Sequence, residues 1–230
     1  MHAQRLFSVL RMMLLPQLSR SFIRSFSSTR LVRCASTTTL NNMAPKQVLT
    51  VIADGSEEIE SVTVIDTLVR AGAIVTTASV GTKKEVVCSR GVKLVADQFI
   101  QDCMSTSYDL IVLPGGMPGA TNLRDCVPLQ HRLVKQHADG KMLAAICAAP
   151  AVVLQPLGIL TNKMATCYPA PKFRGTLQPE YTSNDAVVRD GNVITSQGPG
   201  SSLKFSLLLV EALYGVEVRE KVAKEMLSHI

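Results

Sequence analysis

The sequence predicts an α/β protein: a mostly parallel β-sheet with helices on both faces. Three observations lead there. Short runs rich in apolar and β-branched residues recur at 47–53, 74–80, 109–113 and 142–146, as expected of strands buried on both sides. Stretches of helical spacing alternate with them, and β-α-β alternation lays successive strands side by side in parallel. The body from residue 47 to 230 is long enough for one well-buried domain and leaves little room for a second.

In chain order, Gln47 to Ala53 (QVLTVIA) reads as a buried strand ending in Asp54-Gly55. Ser56 to Ala71 carries Ile59, Val62, Ile65, Leu68 and Val69 at helical spacing, and Gly72 closes it. Ile74 to Val80 is again a strand, and Asp109 to Leu113 and Met142 to Ile146 repeat the theme, each followed by a turn and a helical stretch. Val187 to Ser196 reads as a hairpin around Asp190-Gly191, and Leu203 to Leu213 and Val216 to Leu227 as two terminal helices. Open α/β sheets bind ligands at the carboxyl ends of their strands, so the turns after these strands are where chemistry is expected.

The formal charge of +6 is unevenly spread. Residues 1–46 hold seven basic side chains and no acid, leaving 17 basic and 18 acidic ones in the body. An arm rich in Arg, Ser and hydrophobes without acid has the composition of a mitochondrial presequence, and Arg20-Ser21-Phe22 and Arg24-Ser25-Phe26 resemble cleavage sites. Initiation at Met43 would give a cytoplasmic form. The near-neutral, aromatic-poor body removes the electrostatic reason to expect nucleic acid. The longest nearly apolar run, Met142 to Leu154, contains Pro150 and is too short to span a bilayer. Six cysteines lie scattered with no CxxC pair and no zinc-like Cys/His spacing, so neither a disulfide framework nor a metal is expected.

Cys147 in Ala145-Ile146-Cys147-Ala148-Ala149-Pro150 sits where a buried strand meets a helix start, between small residues, as a nucleophile elbow requires. At a helix N-terminus its thiol pKa would be lowered. Taken alone the pattern equally fits a small buried hydrophobe. Leu113-Pro114-Gly115-Gly116 follows another strand, and its amides, with that of Ala148, can form an oxyanion hole or simply a tight turn. Glu57 and Glu58 in the first helical turn fit capping and dipole matching, whereas Glu60, beside Ile59 and Val62, is expected to point inward, where burial raises a carboxyl pKa. None of the four histidines falls in a strand-end turn, so a Cys-His dyad has no evident partner and a Cys-carboxylate pair is preferred.

At these residues the chain resembles the ThiJ/PfpI superfamily, in its protein-deglycase branch. Five blocks carry the resemblance: GSEEIE at Gly55 to Glu60, CSRGV at Cys88 to Val92, LPGGMPGA at Leu113 to Ala120, AAICAAP at Ala144 to Pro150, and TSQGPG at Thr195 to Gly200. It implies a flavodoxin-like three-layer sandwich, similar to glutamine amidotransferases, that forms a homodimer and uses no cofactor. It also implies a nucleophile at Cys147 in a strained conformation, bonded to a protonated Glu60. Gly115, Gly116 and Ala148 would supply backbone donors, and Arg70 and Arg90 positive charge near the thiol. The substrates implied are small reactive carbonyls such as methylglyoxal, or glycated side chains of Cys, Lys and Arg. A rival role is a peroxide sensor or chaperone oxidised at Cys147. Cys88 would be a second redox site or a buried strand residue. The chain departs from the pattern at Tyr168, where a His is found in relatives, and at Gln197, where Arg is frequent.

Overall fold

The computed structural model describes residues 44–229; the expected presequence, up to residue 43, and the start at Met43 lie outside the described residues. The sheet grows outward from β1 (Gln47–Ile52), which pairs in parallel with β2 (Ile74–Ser79) on one side and β6 (Leu110–Leu113) on the other. Beyond β2 lies the short β5 (Gln98–Phe99), and beyond β6 come β7 (Met142–Ile146) and β9 (Val193–Ser196), all in parallel register. Only the edge strand β8 (Val187–Asp190) runs antiparallel, closing the hairpin with β9. The order β5-β2-β1-β6-β7-β9-β8 therefore reverses direction between β1 and β6. A crevice opens at such a reversal, outside the carboxyl ends of the strands.

Every residue of β6 is buried, as is all of β1 and β7 beyond their first residues. Continuous apolar runs are what a strand covered on both faces requires, and the local sequence reports them faithfully. Helix α1 (Glu58–Arg70) packs on α5 (Ser202–Tyr214), which carries α6 (Val216–Glu225). Helix α2 (Gly119–Arg124) packs on α3 (Val127–Ala138), which lies against β7. This is the three-layer α/β sandwich. A separate hairpin, β3 (Glu85–Val87) with β4 (Lys93–Val95), stands outside the main sheet and was not anticipated from the sequence.

Two elements differ from expectation. The inward face of α1 is Glu58, Glu60, Ser61, Val64, Thr67 and Leu68, while Ile59, Val62 and Val69 are 54, 45 and 53% exposed. Both faces have helical spacing, and contact with β1 and α5 decided which one turned in. The segment after Cys147 is a five-residue π-helical turn, Pro150–Leu154, instead of a regular α-helix. Among the described residues no helix is long and apolar enough to cross a membrane.

Candidate active site

Strand register brings the site together. Leu113 of β6 lies beside Ala145 of β7, so two residues further on Gly115 and Cys147 leave the sheet side by side. Cys147 extends the ladder through its amide, which donates to Ser196 O at 2.9 Å, and its carbonyl accepts from Tyr168 N at 2.7 Å. Held at both ends, it adopts φ 64°, a left-handed conformation that costs a non-glycine residue about 1–2 kcal/mol. The turn lifts the side chain off the sheet over Gly115. A methyl at Gly115 would lie 2.6 Å from Cys147 Cβ and 3.0 Å from Sγ, so only glycine leaves room for the thiol.

Glu60 reaches the same place from α1. Glu57 caps that helix by accepting from Glu60 N at 2.8 Å, and its own amide donates to Gly115 O at 3.0 Å. The helix start is thereby bolted to the glycine turn. The Glu60 side chain is fully buried, and Oε2 accepts from Gly115 N at 2.7 Å. Its other oxygen, Oε1, is buried with no partner in hydrogen-bonding geometry, a costly condition for a carboxylate. The Gly115 amide is thus engaged by Glu60 and is not a free donor, which corrects its assignment to an oxyanion hole. Gly116 N and Ala148 N remain, and both act on the Cys147 sulfur.

Ionisation follows from this burial. Removal from water, followed by the nearby Glu57 charge, raises Glu60 to about 7 against the pull of the Gly115 amide and the Cys147 thiol. Burial and then the charge of Glu60 push the thiol up to about 12, although the Gly116 and Ala148 amides favour the thiolate. The expected lowering by a helix N-terminus is therefore not realised. A five-residue π-helical turn has little dipole, and the buried carboxylate opposes it. Near neutral pH the thiol keeps its proton, while the carboxyl stands ready to gain or lose one.

A cavity of about 360 Å³ opens over the thiol, lined by Glu57, Ser89, Arg90, Met117, Tyr168 and Lys172 among others. Arg90 is in place because Glu58, buried behind it, accepts from Arg90 N at 2.9 Å and from Ser89 Oγ at 3.0 Å. Glu58 is a clamp on this turn, a role its position in the first helical turn did not reveal. Arg70 is not near the thiol within the chain. It ends α1, ten residues and roughly 15 Å of helix beyond Glu60, exposed and paired with Asp66 at 2.8 Å. Cys88 is 4% exposed among Ile52, Val86 and Ala96, and burial with the charges of Glu58, Glu57 and Asp54 pushes it to about 11. It packs within that small cluster, the buried position that the sequence also allowed for it. Neither His131 nor His137, both on α3, lines the cavity. Among the described residues no cluster of three or more His, Cys, Asp or Glu could hold a metal ion.

Comparison with known proteins gives this geometry its context. Residues 46–212 match the DJ-1/PfpI family. The chain belongs to that family. The Danio rerio Parkinson disease protein 7 homolog is 40% identical over 182 residues, covering 78% of this chain and 96% of its own length. Caenorhabditis elegans glutathione-independent glyoxalase DJR-1.2 is 35% identical, covering 75% and 91%. Arabidopsis thaliana protein DJ-1 homolog B is 48% identical over 79% of this chain, but the chain spans only 41% of that protein. Among solved structures, oxidized Toxoplasma gondii DJ-1 superposes with a TM-score of 0.78 at 43% identity, over 80% of this chain and all of its own.

Within the DJ-1/PfpI frame, the structure gathers Cys147, Glu60, Gly115, Gly116, Ala148 and Arg90 from four separate segments. Lys172 and Phe173, on the short helix α4 (Pro171–Arg174), also line the cavity. No local pattern marks them, because only the return of the chain beneath Tyr168 brings them near the thiol. Tyr168 itself stands at the rim, 43% exposed, with its ring edge-on to Phe173.

Proposed function

We propose that this DJ-1/PfpI protein is a cysteine-dependent enzyme that converts 2-oxoaldehydes such as methylglyoxal to 2-hydroxy acids without glutathione. By the same chemistry it would release early glyoxal adducts from Cys, Lys and Arg side chains. The observation carrying the reading is the fully buried Glu60 carboxyl interacting with the Cys147 thiol, with the Gly116 and Ala148 amides acting on the sulfur. A relative named as a glutathione-independent glyoxalase supports it.

Cys147 Sγ attacks the aldehyde carbon while its proton passes to the Glu60 carboxylate. The oxygen that gains charge lies against the Gly116 and Ala148 amides, then takes the proton to give a hemithioacetal. Glu60, again a carboxylate, removes the hydrogen of that carbon as a proton, and the electron pair moves toward the neighbouring ketone, forming an enediol. Reprotonation at the neighbouring carbon yields a thioester. Water cleaves it to lactate and returns the thiol. One water is consumed, and no outside oxidant or reductant is needed. The test is lactate formation from methylglyoxal in an amine-free buffer. Cys147→Ala that retains the wild-type rate would sink the scheme.

A second reading is peroxide sensing, favoured by the amides at the sulfur and by the solved oxidized state of the Toxoplasma relative. Two peroxide molecules would carry the thiolate to sulfinate, each yielding one water. Mass spectrometry after graded peroxide, showing dioxygenation of Cys147 without carbonyl turnover, would favour it. The acid-free arm is proposed as a mitochondrial address, tested by import of a fluorescent fusion; a diffuse cytoplasmic signal would count against it.

A further inference from the structure

Several described cations pair with carboxylates and others, Lys84, Arg132 and Arg174 among them, bond backbone carbonyls instead; two of the unpaired ones line the Cys147 cavity. Arg70, Lys93, Arg124 and Lys135 each lie within 3.1 Å of a carboxylate oxygen, and all four stand outside the Cys147 cavity. Arg90 and Lys172 line that cavity, and among the described residues neither has a carboxylate partner. What holds them leaves their charge intact. The Arg90 guanidinium donates to the Ser89 carbonyl at 3.2 Å, while its backbone is clamped by Glu58. The Lys172 ammonium sits 4.8 Å from the centroid of the Phe173 ring. The acid in the lining, Glu57, caps α1 through one oxygen and offsets one of the two cations, which leaves the lining with a positive excess of one charge. The cavity, at about 360 Å³, is also larger than a three-carbon ketoaldehyde needs.

We propose that the cavity over Cys147 selects small electrophiles that carry a carboxylate, with Arg90 and Lys172 as the groups that hold it. Taken with the reaction proposed above, on which this part rests, the preferred substrates are 2-oxoaldehydes with a carboxylate two or three carbons from the ketone. Lys172 is then a specificity residue. It acts on the remote end of the substrate and takes no part in proton transfer.

Two paired probes test this. The first is alkylation of Cys147 by iodoacetate against iodoacetamide, followed by peptide mass spectrometry, with 2-mercaptoethanol as the unshaped reference thiol. The second is kcat/KM for 4,5-dioxopentanoate against its uncharged analogue 2-oxopentanal. The anion-to-neutral ratio is expected to exceed that of the reference by about tenfold, and to fall about threefold in each of Arg90→Gln and Lys172→Gln. High salt should erase the preference. Taking a ratio cancels any general change in thiol reactivity in a variant. A ratio at Cys147 no higher than at the reference thiol, or unmoved in both variants, overturns the proposal. Preferential alkylation by iodoacetate with neither oxoaldehyde consumed supports the charge selection and sinks the glyoxalase reading. Turnover of both oxoaldehydes at equal kcat/KM does the reverse.

Discussion

Glu60 is the residue in which fold and chemistry conflict most directly. Its carboxyl is raised from 4.5 to about 7, so between those values the folded chain binds a proton that the unfolded chain has released. Stability must then fall as pH rises through that window, by about 3 kcal/mol. Glu60→Gln keeps an acceptor for the Gly115 amide and removes this cost. It is expected to leave stability near wild type at pH 4.5 and exceed it by pH 8, as measured by urea denaturation at both pH values. The same variant loses the proton acceptor, and methylglyoxal turnover is expected to drop by about 10²–10⁴-fold. In the wild type, kcat/KM should rise with pH through about 7 as the carboxylate forms; a flat profile from pH 5.5 to 8.5 would contradict a base role for Glu60.

At the scale of elements, the site depends on three loops that touch backbone to backbone. Gly116 has φ 84°, and a methyl there would lie 2.4 Å from Gly55 O and 2.6 Å from Glu57 N. Neither neighbour is a flexible side chain that can move aside. Gly116→Ala is expected to cost about 3 kcal/mol or more, read from the urea midpoint at unchanged slope. The Ser89–Arg90 turn hangs on the Glu58 carboxylate alone among side chains that bond its amide. Glu58→Gln keeps a single acceptor and removes the charge, so a loss of about 1–2 kcal/mol is expected. Faster amide exchange at Arg90, with little change in β6 or β7, is the local signature. Uniform loss of protection across the sheet would mean that Glu58 supports the whole fold instead.

For the whole molecule, the open question is what covers the outer face of α1. Ile59, Val62 and Val69 are exposed there, and Val62, Val69 and Val95 line a cavity of about 530 Å³ together with Ile65 and Leu94. A largely apolar surface of this kind, beside the β3–β4 hairpin, is where we place the contact of the homodimer that the resemblance implies. A Val62→Asp/Val69→Asp double variant is expected to sediment as a monomer where the wild type sediments as a dimer. Retention of the dimer would place the interface elsewhere.

Much of this protein was legible along the chain. Strands β6 and β7 are apolar over their whole length and β1 is nearly so, so these three could be read to within a residue, and Cys147 and the glycine turn followed from their places at strand ends. The charge split between the arm and the body is likewise a property of sequence alone. What the sequence left open are the choices made by contact between distant segments. Glu60 was expected within, but the rest of the α1 face was settled by β1 and α5, so Ile59, Val62 and Val69, which looked like core, stand outside. The thiol pKa was decided by burial against Glu60, which outweighs a short helical turn. Arg70 was separated from the site by the length of α1, and Lys172 was brought into it by a return of the chain that no local spacing records. Periodicity and turn chemistry act over a few residues and can be read there; dielectric, charge pairing and the lining of a cavity exist only once the segments have packed.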